Sequence, residues 1–292
     1  MRRFCSQLLL AGDLETKLAP PPREAFETTD EGGDPSIPGP DRPARAAGLS
    51  LGEGALPLPR PGELTRPEAR AVCLARFAHH ELMAVEMFAW ALLRWPRLPT
   101  RMRRGLLGIL ADEQIHCRMY LERLGAHGSR LQDHVLSSYF WKHVPAIDAS
   151  PAGPAAFFAA MGLTFEQGNL DFAPLYRDAF RQAGDEASAL VCERVHRDEI
   201  SHVRFAAGAL RELSAGTAGP SAVSDVALYE RSVPFPLSAS RAKGRRFDAS
   251  ARREAGLSPA FIEYVRRARS PQELRGRAQP ADPASKPPGS GA

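Results

Sequence analysis

The chain has 292 residues, of which 43% are hydrophobic, and its formal net charge is +4 at pH 7. This composition indicates a soluble globular protein with room for one large domain or two ordinary ones. It excludes a membrane protein, because no stretch approaches the ~18 apolar residues of a spanning helix and the apolar run near the start is too short for a secretory signal. The four cysteines are scattered, which fits buried thiols and a cytoplasmic location better than a disulfide framework.

The first part of the chain, residues 1–64, is rich in proline and glycine, with runs such as PPP and LPLPRPG. Such a segment is predicted to be an extended or looped arm. A helical pattern follows. Thr65 and Glu68 have the spacing of a capping box, and Pro96 interrupts the pattern, so we predict the first long helix over 66–95.

Three more long helices are predicted after the first. The second ends at Gly125, where glycine suits the left-handed conformation of a helix C-terminus. A long connection follows, and then a third helix over 154–183, which Pro174 is expected to kink or split near Asp171. The fourth helix runs over 185–213. This order of elements, in which a long crossover separates two pairs of helices, is the one found in four-helix bundles of the ferritin type.

The last part of the chain is predicted to be a basic extension with short helices over 214–276 and a disordered tail over 277–292. Between Ser238 and Arg277, eleven basic residues stand against four acidic ones. A basic patch can attract nucleic acid or an acidic partner. A solvated or internally paired face is the more common outcome, however, and no recognised nucleic-acid motif accompanies this one. Nucleic-acid binding through 241–253 is therefore left open but is not favoured.

Two of the predicted helices carry the same polar pattern. The sequence Asp-Glu-x-x-His-x-Arg occurs at 112–118 and again at 198–204. Residues three apart lie on one side of a helix, so the glutamate and histidine of each motif point into the same space as apolar neighbours. One such pair is only a weak indication of a metal site, but two in register are a much stronger one. The pairs are Glu113 with His116 and Glu199 with His202.

Each of the other two helices offers one carboxylate on its apolar stripe, Glu81 on the first and Glu166 on the third. The interval between them differs by one residue from the interval between the two motifs. Glu86 is a possible alternative ligand, but the apolar stripe on which it lies is less well in phase with the repeat than the stripe of Glu81. Two adjacent divalent metals need bridging oxygens and imidazole ligands, which this set supplies. A metal-free bundle would have to keep its buried acids protonated or hydrogen-bonded, because buried charges are costly.

The order of these six residues resembles the ligand pattern of ferritin-like di-iron carboxylate proteins. The resemblance implies an all-α, ferritin-like four-helix bundle over 65–213 with one long crossover. The stretches AGDLETKLAPPP, FAHHELMAVEMFAWALLRWP and YFWKHVPAI further resemble a bacterial branch of that superfamily known only as a domain of unknown function. The ligands so implied for two iron ions, or manganese or a mixed pair, are Glu81, Glu113, His116, Glu166, Glu199 and His202.

The resemblance also implies a role for each position. Glu113 and Glu199 would bridge the two metals, while Glu81 and Glu166 would be terminal carboxylates. Asp112 and Asp198 each precede a ligating glutamate and would accept the second ring N–H of a ligating histidine, which fixes its orientation. The arginines that end the two motifs would pair with these aspartates. These arginines are Arg118 and Arg204.

Such a centre predicts an oxidoreductase that uses O₂ or peroxide to oxidise or hydroxylate a small molecule, reached beneath the loop over 126–150. That loop would be a lid or a structural strap. An external electron donor is expected, because the chain has no dinucleotide-binding glycine motif and no C-x-x-C pairs. The alternatives are a tRNA-modifying hydroxylase using the basic segment, an iron-handling ferroxidase and a non-catalytic, metal-stabilised scaffold. No residue is assigned as catalytic.

Overall fold

The computed structural model describes residues 1–27, 42–215 and 223–270. Apart from an isolated bridge between Leu51 and Leu136, all regular structure in these ranges is helical, which confirms the predicted all-α class. No helix within them has the length and apolar character needed to cross a membrane. The helices are α1 (Arg2–Leu10), α2 (Leu14–Leu18), α3 (Arg23–Glu27), α4 (Pro67–Arg94), α5 (Thr100–Ala126), α6 (Val144–Asp148), α7 (Pro154–Phe157), α8 (Gln167–Gln182), α9 (Glu186–Ala215), α10 (Asp225–Ser232), α11 (Ala249–Glu254) and α12 (Pro259–Arg267), with a π-helical segment, Phe158–Glu166, between α7 and α8.

The four long helical segments start and stop within about two residues of the boundaries that the sequence predicts. Helix α4 packs along α5, α8 packs along α9, and α5 also contacts α9. Helix α4 begins with Pro67 in its first turn, after a 3-10 turn over Pro61–Thr65, and not with the capping box predicted from Thr65. Proline suits this position because its missing N–H would have no partner there.

The third long segment is irregular at a different point from the one predicted. It continues through Pro174 without a break near Asp171, while the segment Phe158–Glu166 winds as a π-helix. Proline in a helix interior leaves the carbonyl four residues earlier without its usual donor. That carbonyl belongs to Leu170, and the imidazole of His196 on α9 interacts electrostatically with the Leu170 backbone. A polar group of the neighbouring helix therefore lies near the point where the sequence predicts a kink.

The π-helical segment lies very close to α9. A Cβ atom added at Gly162 would clash with the Cβ of Ala206, whereas one added at Gly108 in α5 would meet nothing within 4 Å. We expect Gly162→Ala to destabilise the protein by about 1 to 3 kcal/mol through overpacking. Gly108→Ala is the matched control, and it should stabilise the protein by about 0.5 to 1 kcal/mol because glycine is unfavourable within a helix. Urea unfolding of both variants would test this, and equal effects would contradict the packing described here.

The prediction of an extended N-terminal arm is wrong for the first 27 residues, which form α1, α2 and α3. Helix α1 packs against α4 and buries Cys5, Leu8 and Leu9. These three residues have the i, i+3, i+4 spacing of an apolar helix face, which the proline and glycine content further along the chain obscured. Asp13 caps α2 by accepting a hydrogen bond of 2.7 Å from the backbone of Thr16. Residues 28–41 of the arm lie outside the described residues.

The basic extension carries α10, α11 and α12 and is fastened to the long helices by a buried ion pair. Arg252, in α11, is fully buried and donates to both carboxylate oxygens of Asp171 in α8, at 2.7 and 3.0 Å. It also donates to the carbonyl of Ala242 at 2.7 Å. At least one of the arginines that suggested a nucleic-acid surface is therefore internal and paired. The predicted tail over 277–292 lies outside the described residues.

Candidate metal centre

Six polar side chains meet in the interior between the long helices. Two come from α5, two from α9, one from α4 and one from the last residue of the π-helical segment. All six are buried, and the most exposed of them shows only 6% of its surface to solvent. The structure thus brings together the residues that the sequence nominates as metal ligands, namely Glu81, Glu113, His116, Glu166, Glu199 and His202.

The potential ligand atoms form two groups that share one residue, Glu113. Within each group, the nitrogen or oxygen atoms offered by the side chains all lie within 4.8 Å of one another. One glutamate common to two such groups is the arrangement expected of a carboxylate between two neighbouring cations. The first group consists of Glu81, Glu113 and His116, and the second consists of Glu113, Glu166, Glu199 and His202.

Several of these buried atoms have no hydrogen-bond partner among the described residues. They include both carboxylate oxygens of Glu166. Oε1 of Glu113 and Oε2 of Glu199 form no well-aligned hydrogen bond either, but they lie 3.2 and 3.5 Å from Nδ1 of His202. Leaving one buried polar group unsatisfied costs about 1 to 3 kcal/mol, and more when the group is charged. A cation held among these atoms would satisfy them together. The cluster is therefore compatible with metal binding.

The electrostatics of the cluster depend on how its charges are compensated. Burial, together with the neighbouring glutamates, raises the pKa values of Glu81, Glu166 and Glu199. Burial opposes ionisation of Glu113 as well, but the imidazoles of His116 and His202 outweigh it and lower the pKa of this carboxyl. Burial likewise lowers the pKa of His116, but Glu113 and other acids raise it to about 10. These shifts favour bound protons on the histidines and on three of the glutamates, and a metal that binds here must displace protons.

The two aspartates contact the histidines in a crossed arrangement. Asp198 lies 2.9 Å from Nε2 of His116, and Asp112 lies 3.3 Å from Nε2 of His202. Each motif therefore provides the carboxylate that orients the histidine of the other motif, across the contact between α5 and α9. The remaining ring nitrogen of each histidine, Nδ1, faces the glutamates. A carboxylate on one ring nitrogen fixes the tautomer that leaves the other free to bind a metal.

The arginines that end the two motifs do not pair with these aspartates, contrary to the sequence prediction. Arg118 donates to the backbone carbonyl of Leu18, and Arg204 donates to that of Glu254 at 2.7 Å. The guanidinium that contacts Asp198, at 2.6 Å, belongs to Arg194. The signal for this pair was present in the sequence, because residues four apart face each other on a helix.

Replacing Asp198 should weaken metal binding without removing a ligand. Asp198→Asn keeps the shape but removes the charge that supports the ring N–H of His116. We expect the affinity for a divalent metal to fall roughly 10- to 100-fold, as is typical for residues behind a ligating histidine. The matched control is Asp178→Asn, whose carboxylate pairs with Arg177 and Arg246 away from the cluster. Chelator competition would measure both affinities, and an equal affinity in the two variants would contradict the assignment.

Glu86, the alternative ligand, belongs to a separate buried cluster. Its carboxylate lies 2.8 Å from Lys17 and 2.8 Å from Arg45, and it accepts a hydrogen bond of 3.0 Å from the indole of Trp141. Lys17, Arg45 and Glu86 are almost fully buried. Because its charge is already compensated by two cations, Glu86 has no need of a metal. Its partners lie in the arm and the long loop, which sequence reasoning could not associate with α4.

A cavity of about 270 Å³ lies beside the carboxylates. Glu81, Glu113, Glu166 and Glu199 form part of its wall. Most of the remaining wall is apolar and aromatic, and it includes residues of the loop over 126–150, which the sequence analysis predicted to cover the site. Small-molecule sites have this character, a largely apolar cleft with a few convergent polar groups. The aromatic lining residues are Phe77, Tyr120, Tyr139, Phe140, Phe165 and Phe172.

The structure and the cluster define an all-helical protein with a buried carboxylate and histidine site that is compatible with metal binding. The chain belongs to the family described as protein of unknown function (DUF455), whose model matches residues 11–263. No curated protein and no solved structure shows significant similarity to the chain. Family membership therefore assigns neither a reaction nor a substrate.

Proposed function

We propose that the chain is a ferritin-like di-iron, or manganese and iron, carboxylate oxidoreductase that uses O₂ or peroxide to oxidise or hydroxylate a small organic molecule. The observation that carries this proposal is the pair of ligand groups that share Glu113. Four long helical segments supply the groups, which supports the ferritin-like bundle predicted from the sequence. The lining of the adjacent cavity supports an organic substrate over a role confined to metal binding.

The donor set fits the proposed metals. Carboxylate and imidazole ligands suit iron and manganese, and a glutamate shared by two groups can screen the repulsion between two cations. In this proposal Glu81 and His116 would hold one ion and Glu166 and His202 would hold the other, with Glu113 shared between the two. Glu199 belongs to the second group of potential ligands, and its role as a further shared ligand stays a prediction. When bound, two ferrous ions would supply electrons for the reduction of O₂ or a peroxide.

The protein itself would position the substrate and limit access by water. The cavity would bring an organic molecule against Glu166 and Glu199, and both carboxylate oxygens of Glu166 lack a hydrogen-bond partner among the described residues. Phe140 and Phe165, whose ring centroids are 4.8 Å apart, close the wall on the loop side. Apolar walls of this kind strengthen electrostatic interactions at the site and protect a reactive oxidant from side reactions. Further electrons would come from a separate donor protein.

Oxygen uptake tests the proposed activity. Full-length protein is loaded with ferrous iron without air and then mixed with aerated buffer in an oxygen electrode. We expect iron-dependent uptake that is faster than that of the same iron in buffer. It should be lost in Glu113→Ala and retained in Glu122→Gln, which alters an exposed glutamate on the same helix. Iron that binds but reacts with O₂ no faster than free iron would contradict the proposal and favour a scaffold.

A second candidate, a tRNA-modifying hydroxylase, is supported by a groove next to the cavity. The groove is lined by Lys243, Arg245 and several other cations, and it shares Leu58 and Phe172 with the cavity wall. One observation counts against this candidate: Arg252, which belongs to the basic segment 241–253, is buried and does not present its charge to a phosphate. Salt-dependent binding of tRNA that is lost when the groove arginines become glutamine would favour it, because phosphate contacts release counterions. Binding unchanged by these substitutions would remove it.

A further inference from the structure

A cluster of positive charge surrounds Tyr139 on the loop side of the cavity. Arg241 lies 3.4 Å from the Tyr139 hydroxyl, and the ammonium of Lys142 lies 4.9 Å from the centre of its ring. Arg76, on α4, and Tyr139 belong to the wall of the same cavity. Two of these cations, Arg76 and Arg241, line the cavity itself. The three residues Arg76, Lys142 and Arg241 are called the mouth cluster below.

No carboxylate compensates the mouth cluster within the described part of the chain, where none of its three members forms an ion pair. The Nε atom of Arg76 is buried and has no hydrogen-bond partner there. Burial also lowers the pKa of the Arg76 guanidinium. Two fully buried cations of the described residues are paired, Arg252 with Asp171 and Lys17 with Glu86. An unpaired and partly buried guanidinium is costly, so this one indicates an anionic ligand.

The surface between the mouth cluster and the carboxylates is aromatic. His80 stacks on Tyr139 and on Phe140, with ring centroids 5.4 and 5.5 Å apart. Its Nε2 atom is also buried without a partner among the described residues. The flat or apolar part of a ligand would pack well against this aromatic surface, and Nε2 of His80 would offer it one polar contact.

The cavity volume limits the size of a ligand. This volume, about 270 Å³, is just below the range for small-molecule sites, which begins at ~300 Å³. The cavity therefore has room for a small molecule but not for a polymer strand.

From these observations we infer that the cavity binds a small organic carboxylate, with its carboxylate group on Arg76 and Arg241 and its apolar body extending over the aromatic wall toward the glutamates. The planar fork of a guanidinium matches a carboxylate in two parallel hydrogen bonds. That this ligand is the substrate rests on the proposed oxidoreductase function. Its binding rests only on the mouth cluster and the cavity.

The test compares carboxylates with their neutral amides by isothermal titration calorimetry on the full chain. The probes are straight-chain acids from acetate to decanoate, phenylacetate and phenylbutyrate, each with the corresponding amide. We expect at least one acid to bind ten or more times tighter than its amide, a difference of about 1.4 kcal/mol. Arg76→Gln and Arg241→Gln should each remove most of this preference. Arg241 is exposed, so its substitution leaves the core intact.

Two controls make the result specific. Arg181→Gln alters an exposed arginine that pairs with Glu186 and Glu193, and it should keep the preference for the acid. Metal content is measured on every sample, so that loss of metal would count against the oxidoreductase proposal and not against carboxylate binding. Equal binding of acid and amide throughout the series, or a preference retained in the Arg76→Gln, Arg241→Gln double variant, would overturn the inference.

Discussion

Substitution of Glu113 by alanine should abolish binding of both metal ions, because its carboxylate belongs to both groups of potential ligands. Glu81→Gln, by contrast, alters a residue of the first group only. We therefore expect about two metal ions per chain in the native protein, about one in Glu81→Gln and almost none in Glu113→Ala. Inductively coupled plasma mass spectrometry on protein equilibrated with ferrous or manganous ion under argon would measure all three.

A stepwise loss of metal, from two ions to one in Glu81→Gln and to almost none in Glu113→Ala, would identify Glu113 as the shared ligand. Glu122→Gln is the control, since it changes an exposed glutamate of α5 and should leave the metal content unaltered. Circular dichroism would show that each variant is folded. Equal metal content in Glu113→Ala and the native protein would exclude a shared ligand at this position. A full loss in Glu81→Gln would mean that the two groups bind as one unit.

Glu86→Ala should produce the opposite pattern, a large loss of stability with metal binding retained. The substitution leaves Lys17 and Arg45 buried without their counter-charge and removes the acceptor of the Trp141 indole. Breaking a buried ion pair on one side typically costs about 3 to 5 kcal/mol. We expect a decrease of that size in the free energy of unfolding, measured by urea denaturation, with an unchanged number of metals per folded chain.

A matched variant identifies the source of this loss. Lys17→Met removes one cation but keeps an apolar stem, and combining it with Glu86→Leu replaces the central pair by apolar groups. The double variant should be more stable than Glu86→Ala, because fewer buried charges are left uncompensated. Loss of metal from folded Glu86→Ala would contradict the separation of the two clusters and would restore Glu86 as a possible ligand.

Helical periodicity was sufficient to predict which residues of α4 and α5 share the interior. Glu81 is preferred over Glu86 on phase alone, and in the structure Glu81 faces the cluster while Glu86 faces Lys17 and Arg45. This works because successive residues of a helix advance by a fixed angle, so neighbours in space can be read from spacing.

Features that depend on contacts between distant segments could not be predicted in the same way. The crossed pairs, Asp198 with His116 and Asp112 with His202, depend on how α5 and α9 lie against each other. The packing of α1 on α4 likewise depends on tertiary burial, which overrode the appearance of a proline-rich arm. Local sequence specifies the elements well, but it does not specify which of them will meet.

The central claim is that six side chains bind two metal ions, and anomalous diffraction tests it most directly. Crystals of the full chain, grown without air in the presence of ferrous iron, would be measured on both sides of the iron absorption edge. We expect two anomalous peaks, one contacted by Glu81 and His116 and the other by Glu166 and His202, with Glu113 in contact with both. The absence of iron from this cluster in metal-loaded crystals, or iron bound only elsewhere, would contradict it.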